Sequence, residues 1–386
     1  EIRRHSFKLK KGRSRPPKSI KSPTNWVCGD MARFAGIEAG GTSWVVAIAE
    51  GSPENVIERA DFPTSTPAEV LANVVEWLKP RKFDCLGIAS FGPVELHEDH
   101  PKYGFITTTP KPGWKDADVV GAVRRGLGLA SDFPIAFDTD VNAPAMAEYA
   151  QAKAAGSDIT SCAYVTVGTG VGVGLVFNGH MLHGLLHGEG GHISVPLYPG
   201  ATKEQKLSYS LNCATWAELE STCNSAALAH QAGCSIADLK DLKDDNRVWD
   251  IAAHYLACLC VNLILLCSPE KIVLSGGVLL RKCLFPKIHA KTQEYLNGYI
   301  DVPGVTTAEG IANLIVPSKH GNKAGIVGAL YLAQKGLDLP SRIAPCPEAA
   351  ATPAATTFLS SSTSHFALGL LAGLTAAFVI GCRTSA

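Results

Sequence analysis

Residues Gly168–Gly174 read GTGVGVG and lie between two apolar, β-branched runs, Ser161–Val167 and Leu175–Phe177. Glycine at every second position leaves one side of the chain nearly bare. Bare backbone can come close to a phosphate and offer it N–H donors, and Thr169 adds a hydroxyl. A shorter version occurs earlier, where a strand from Phe34 to Ile37 leads into Gly40-Gly41-Thr42 and leaves through Trp44–Ala49. Either turn alone can be a plain hairpin. Together they constrain the fold more. Two strand–glycine turn–strand units, each opening a mixed α/β half, point to an internal duplication with two lobes and a cleft between them. Two common nucleotide loops do not fit. A Walker A loop needs GKS or GKT opening a helix, and the chain has no such run. A dinucleotide GxGxxG must pass from strand into helix. Here the glycines pass into another apolar run, which disfavours hydride transfer.

Between the turns the periodicity alternates between strand and helix. Ala68–Leu78 places Val70, Leu71, Val74, Val75 and Leu78 on one helical face. Phe83–Phe91 reads as a buried strand stopped by Gly92-Pro93. A helix is expected over Asp116–Leu129, then a short strand Pro134–Phe137 ending at Asp138-Thr139-Asp140, then a helix over Asn142–Ala155 with Pro144 in its first turn. After the second glycine turn come a long helix Val248–Leu266, a strand Lys271–Ser275 running into Gly276-Gly277, and a last helix Ala324–Gln334.

The 386 residues and 46% hydrophobic content suffice for two cores. The 35 basic and 35 acidic residues cancel, so nothing points to nucleic acid as a partner. None of the 12 cysteines forms a CxxC pair and several lie in apolar runs, the usage of buried thiols in a reducing compartment. Residues 1–32 are a basic arm rich in Pro and Ser, expected to be upstream translated sequence or a targeting segment. Residues 339–364 read as a low-complexity linker of Ala, Thr, Ser and Pro. Phe366–Cys382 is uncharged. As a helix it would span about 26 Å, at the short end for a bilayer. A C-terminal membrane anchor over 365–383 is the expectation, with a packing helix as the alternative. The two lobes would then face the cytosol, tethered to an intracellular membrane.

The runs GIEAGGTSW, LGIASFGPV, YGFITTTPKPGW, FDTDVNAPAMAE, VTVGTGVGVG, LLHGEGGHI, PEKIVLSGGV and GNKAGIVGAL follow one another in order. Together they resemble the ROK family of sugar kinases, in its fructokinase branch, over roughly residues 33–336. The resemblance implies an actin-like, hexokinase-like (ribonuclease H-like) α/β fold. Its lobes would be 33–150 and 151–320, with a final helix over 321–338 returning to the first lobe. It implies phosphorylation of a hexose, most simply D-fructose, by ATP with Mg2+, in a homodimer. Asp140 matches the catalytic base, although Asp is also a good N-cap for the helix beginning at Asn142. Ser90, Asn142, Glu189, His192 and Glu218 match sugar ligands, with Glu220 as an alternative to Glu218. Gly40, Gly41 and Thr42 match the first phosphate turn, Gly168, Thr169 and Gly170 the second, and Gly276 and Gly277 the adenosine side.

The chain also departs from the pattern of that family. Ser43 stands where Lys usually follows GGT, Val173 replaces a glycine of GTGIGGG, and HPEMGH becomes HGEGGH. Of the usual Cys/His zinc cluster, Cys213 remains with His192 upstream and Cys223 beyond. That falls short of four tetrahedral ligands, so no structural zinc is expected. Another hexose such as mannose or glucose, or a membrane-tethered pseudokinase that binds sugar without turnover, are the alternatives. A DNA-binding repressor is disfavoured, because residues 1–30 are too short and too Pro-rich for a helix-turn-helix.

Overall fold

The computed structural model describes residues 31–199 and 216–338. Most of the basic arm, the linker, the expected anchor and Cys213 lie outside the described residues.

The first half is built from β1 (Arg33–Ala39), β2 (Ser43–Glu50), β3 (Val56–Pro63), α1 (Pro67–Leu78), β4 (Cys85–Ser90), a small hairpin of β5 (Phe105–Ile106) and β6 (Ala117–Asp118), α2 (Val119–Leu127), β7 (Ile135–Thr139) and α3 (Asn142–Ala154). The second half contains β8 (Ser161–Val167), β9 (Val171–Phe177), β10 (His180–Met181), β11 (Ser194–Pro196), β12 (Trp216–Glu218), α4 (Glu220–Cys223), α5 (Ser225–Ala232), α6 (Arg247–Cys267), β13 (Ile272–Ser275), α7 (Leu284–Leu296), α8 (Pro303–Thr306), α9 (Ala308–Leu314), β14 (Ile315–Pro317) and α10 (Ala324–Asp338).

Two five-stranded sheets result, ordered β3-β2-β1-β4-β7 and β10-β9-β8-β13-β14. They share one topology. Each opens with an antiparallel pair joined by a glycine turn, adds a third antiparallel strand on one side, and adds two parallel strands on the other. The inner strands are covered on both faces, so their residues are apolar on both alternations. In β2, Trp44, Val46 and Ile48 enter one core, while Val45, Ala47 and Ala49 enter another.

The helices follow from local signals. Thr66 caps α1 and Pro67 starts it, and Val70, Val74 and Leu78 recur one turn apart to line its buried side. The expected helix over Asp116–Leu129 is shorter. Asp116 adopts a left-handed conformation, Ala117–Asp118 pair with β5, and Asp118 then caps α2 by accepting from the Gly121 N–H. Gly128, also left-handed, ends it. α6 is long and apolar enough to cross a membrane, with mean hydropathy 1.9, but it is largely buried, in the core of the second half.

Two helices change sides. α10 follows the second sheet in sequence but packs on the first, through Ile326, Ala329, Leu330 and Ala333. α3 follows the first sheet but lays Ala145 and Met146 against Cys162, Tyr164 and Val176 of the second. The alternate glycines belong to this arrangement. A Cβ at Gly174 would lie 2.0 Å from the Val141 carbonyl oxygen, and one at Gly172 would lie 2.5 Å from the Val141 side chain. The bare face of Gly172 and Gly174 therefore admits the start of α3 and not a phosphate. β9 accordingly begins at Val171 rather than at Leu175, and the exposed turn is only Gly168–Gly170.

Gly174→Ala forces a methyl into that contact. The variant is expected to lose about 1–3 kcal/mol of stability, read as a lower urea midpoint with an unchanged m-value. An unshifted midpoint would show that the contact is slack.

Candidate active site

Parallel strands β1, β4 and β7 end side by side, and so do β8 and β13. In open α/β sheets the carboxyl ends of the strands are where ligands bind. Here they carry Gly40–Thr42, Ser90–Gly92 and Asp138–Asp140 from one half, and Gly168–Gly170 and Gly276–Gly277 from the other. The two glycine turns face each other, with the Thr42 and Thr169 hydroxyls 3.4 Å apart. Gly276 has φ +91, and a Cβ there would strike the backbone of Val167 at 2.4 Å, so only glycine lets β13 turn away beside β8.

Asp140 sits where β7 gives way to α3. Its N–H donates to the Ser90 carbonyl at 2.9 Å, which ties it to the end of β4. Burial pushes its carboxyl from an ordinary 3.8 up to about 7, and the Glu189 carboxylate adds to the shift. Asp140 does not cap α3. The N-cap position is Val141, and no side chain caps it. Glu38, at the end of β1, is also raised to about 7, by burial first and by Asp140 second.

The expected sugar ligands divide into two groups. Ser90 and Asn142 are buried and internally engaged. The Ser90 hydroxyl donates to the Phe91 carbonyl at 2.9 Å. The Asn142 carboxamide donates to Asp138 at 2.9 Å and accepts from the Leu175 N–H at 3.1 Å, bracing the loop to β9. Glu189, His192 and Glu218 come together around one point. His192 Nδ1 hydrogen-bonds Glu218 Oε1, and its Nε2 lies 3.8 Å from Glu189. Burial opposes charge on His192, but the Glu218 hydrogen bond and the fields of Glu220, Glu218 and Glu189 outweigh it and raise its pKa. Glu218 is 1% exposed, and its second carboxylate oxygen is buried without a hydrogen-bond partner. Buried oxygens of this kind are rare, and a ligand hydroxyl is a natural partner. Glu220 sits elsewhere. It accepts from the Val171 N–H at 2.8 Å and backs the second glycine turn.

Several residues beyond the expected set belong to the site. Glu38 stands within GIEAGGT, where its glycine neighbours drew the attention. His187 accepts from the Val94 N–H at 3.1 Å, which puts its ring proton on Nδ1, 3.5 Å from Glu189. It thereby joins the 182–189 loop to the loop after β4. His183 pairs with buried Asp138 at 2.8 Å. Among the described residues, no group of three or more His, Cys, Asp or Glu side chains is arranged to hold a metal ion.

The sequence profile of the ROK family matches residues 34–336, and the chain belongs to that family. Among curated relatives, the fructokinase of Pediococcus pentosaceus is 38% identical over 301 residues, covering 78% of this chain and 97% of the relative. The fructokinase of Lactococcus lactis subsp. cremoris is 35% identical, covering 78% and 96%. Among solved structures, a ROK family glucokinase from Streptomyces griseus, in complex with glucose and AMPPNP, superposes with a TM-score of 0.58 at 18% identity. That match covers 79% of this chain and 100% of the other. The fold is thus the actin-like, hexokinase-like architecture with two related halves.

Two of the departures from the family pattern meet in space. A Cβ at Gly190 would lie 2.6 Å from a methyl of Val173 and 2.8 Å from its Cβ. Val173 occupies the room that a side chain at 190 would need, so GTGVGVG and HGEGGH are one exchange of volume. Gly190→Met is expected to cost about 1–3 kcal/mol and to reduce turnover. Adding Val173→Gly should recover most of both. Urea unfolding of the double-mutant cycle measures the coupling, and strict additivity would show that the two positions do not share the space.

Proposed function

We propose that this ROK-family sugar kinase transfers the γ-phosphoryl group of MgATP to D-fructose, yielding fructose 6-phosphate, with Asp140 as general base. The observation that carries the reading is Asp140 itself. It is a carboxylate at a strand end beside both glycine turns, fixed by its own N–H to Ser90, with its pKa raised to about 7. A base tuned near the working pH accepts a proton and releases it again.

The fructose hydroxyl attacks the γ-phosphorus. A bond forms from the sugar oxygen to phosphorus, and the bond from phosphorus to the β,γ-bridging oxygen breaks. That electron pair leaves with ADP, and the hydroxyl proton passes to Asp140. Mg2+ arrives with the nucleotide. The turns Gly40–Thr42 and Gly168–Gly170 would hold the phosphates through backbone N–H groups and the two threonine hydroxyls, with Gly276 and Gly277 beside the adenosine. Glu189, His192 and the unpartnered Glu218 oxygen would bind sugar hydroxyls. A site built to hydrogen-bond particular hydroxyls rejects sugars that lack them. Ser90 and Asn142 support this array from behind. The two relatives named fructokinase support fructose as the acceptor. The exchange between Val173 and Gly190 favours a working site over a pseudokinase, because the volume lost at one position is restored at the other.

Asp140→Asn is expected to lower turnover by about 10²–10⁴-fold in a coupled ADP assay with fructose, mannose and glucose as acceptors. Activity within a few-fold of wild type would remove Asp140 as the base, and a clear preference for glucose or mannose would displace fructose. Only the ionised carboxylate accepts a proton, so kcat/KM of the wild type should rise with pH through about 7. Stability should move the other way. Folded Asp140 holds its proton to about 7 while the unfolded chain releases it near 3.8, so this group's contribution is lost as pH rises across that interval. Asp140→Asn should therefore melt above the wild type, by a margin that widens over the same interval. A margin independent of pH would contradict the raised pKa.

A further inference from the structure

Lys111 lies in YGFITTTPKPGW, between Pro110 and Pro112. The residue before a proline is held in extended conformations, and the flanking rings stiffen the loop. Trp114 anchors it. That indole is fully buried, its ring 5.4 Å from Trp44 and 5.3 Å from Phe91, and its N–H donates to the Ser65 carbonyl at 2.9 Å. The Trp114 backbone N–H donates to the Lys111 carbonyl at 3.2 Å. Trp44 opens β2 directly after the first glycine turn, so the loop is stacked on the strand that leaves that turn. Lys111 is half-buried as a residue, and its ammonium donates to the Gly41 carbonyl within the turn in an exposed hydrogen bond. Among the described residues this is its only hydrogen-bond partner, and no carboxylate pairs with it.

Among the described residues, carboxylates outnumber the cations that act on Glu38, Asp140 and Glu189. Burial and then the carboxylates of Asp140 and Asp61 raise the pKa of Glu38, burial and then Glu189 raise that of Asp140, and burial and then Glu220 raise that of Glu189 against His187 and His192. Arg59 is committed to Asp61 at 2.7 Å. His192 is engaged with Glu218 on the sugar side. Position 43, where the family pattern carries lysine, is Ser43.

We infer that Lys111 is the cation of the first phosphate turn, reaching from the PKP loop to hold the γ-phosphoryl oxygens of ATP and to stabilise the charge that develops there during transfer. This rests on the kinase reading above. The bond changes and proton transfer are those already given. An ammonium has three N–H donors, so it can keep the Gly41 carbonyl and still offer two to phosphate oxygens.

Three variants separate charge from scaffolding. Lys111→Gln retains a donor for the Gly41 carbonyl and drops the charge, Lys111→Met drops both, and Lys111→Arg keeps the charge. On the inference, Gln and Met behave alike. Each lowers kcat by about 10²-fold, as loss of one preorganised donor does, and Arg recovers part of the rate. Calorimetric titration should show ATP affinity falling several-fold in the Gln and Met variants, with ADP affinity little changed, because ADP has no γ-phosphoryl group. Melting temperatures identify any variant that fails to fold, and the Gln variant carries the test if Met does. Wild-type turnover in the Gln variant, or an equal loss of ATP and ADP affinity, would overturn the inference and leave Lys111 as a loop staple. Asp140→Asn measured in parallel separates the two claims. If it is inactive while Lys111→Gln is active, only the lysine assignment fails. If no sugar is phosphorylated by the wild type, the comparison of ATP with ADP still decides the role of Lys111.

Discussion

A backbone contact holds the site together. Strand β9 meets the first turn of α3 at Gly174, where the absence of a side chain lets the Val141 carbonyl and the Asn142 N–H lie against the strand. The Asn142 carboxamide locks the contact by accepting from the Leu175 N–H. Asp140 is two residues from that clamp and is tied on its other side to Ser90. Asp140 is thus fixed by one half through β4 and by the other through β9. The exchange of helices repeats the logic on a larger scale, since α3 covers the second sheet and α10 the first.

Electrostatically the site is a collection of acids. Burial and then Asp140 raise Glu38 to about 7, burial and then Glu189 raise Asp140 to about 7, and burial raises Glu189 as well. Such a cluster costs stability, which is common where function sets the environment. Around Glu189 and Glu218 the cost is partly offset by histidines. His192 spans Glu218 and Glu189, and His187 approaches Glu189 from the loop that it joins to Val94. At the first glycine turn the Lys111 ammonium touches the Gly41 carbonyl.

Much of this was legible in the sequence. β8 has the bounds that its apolar run implies, and α1, α6 and α10 follow from periodicity and caps. Short-range signals failed where pairing is long-range. Strands β11 and β12, each three residues long, carry no periodicity, yet their pairing brings Glu218 to His192. The glycines at 172 and 174 looked like room for phosphate because spacing says that a face is bare, not what fills it. Ser90 and Asn142 are chemically suited to bind a sugar, and only the folded chain shows that Phe91, Asp138 and Leu175 take part of their hydrogen-bond capacity.

By itself the sequence determined the two strand–glycine turn–strand units, the order of helices and strands around them, and the family pattern that singles out Asp140, Glu189 and His192. These are properties of adjacent residues, of turn chemistry and of alternation, and they are written locally. Only the tertiary structure decided which glutamate, Glu218 or Glu220, keeps an unpartnered oxygen beside His192, that Val173 and Gly190 share one volume, and that Lys111, 70 residues beyond Gly41, reaches its carbonyl. The physical reason is common to all three. Burial, steric exclusion and charge contact depend on distances between segments remote in the chain, and those distances exist only once the two sheets have closed on their exchanged helices.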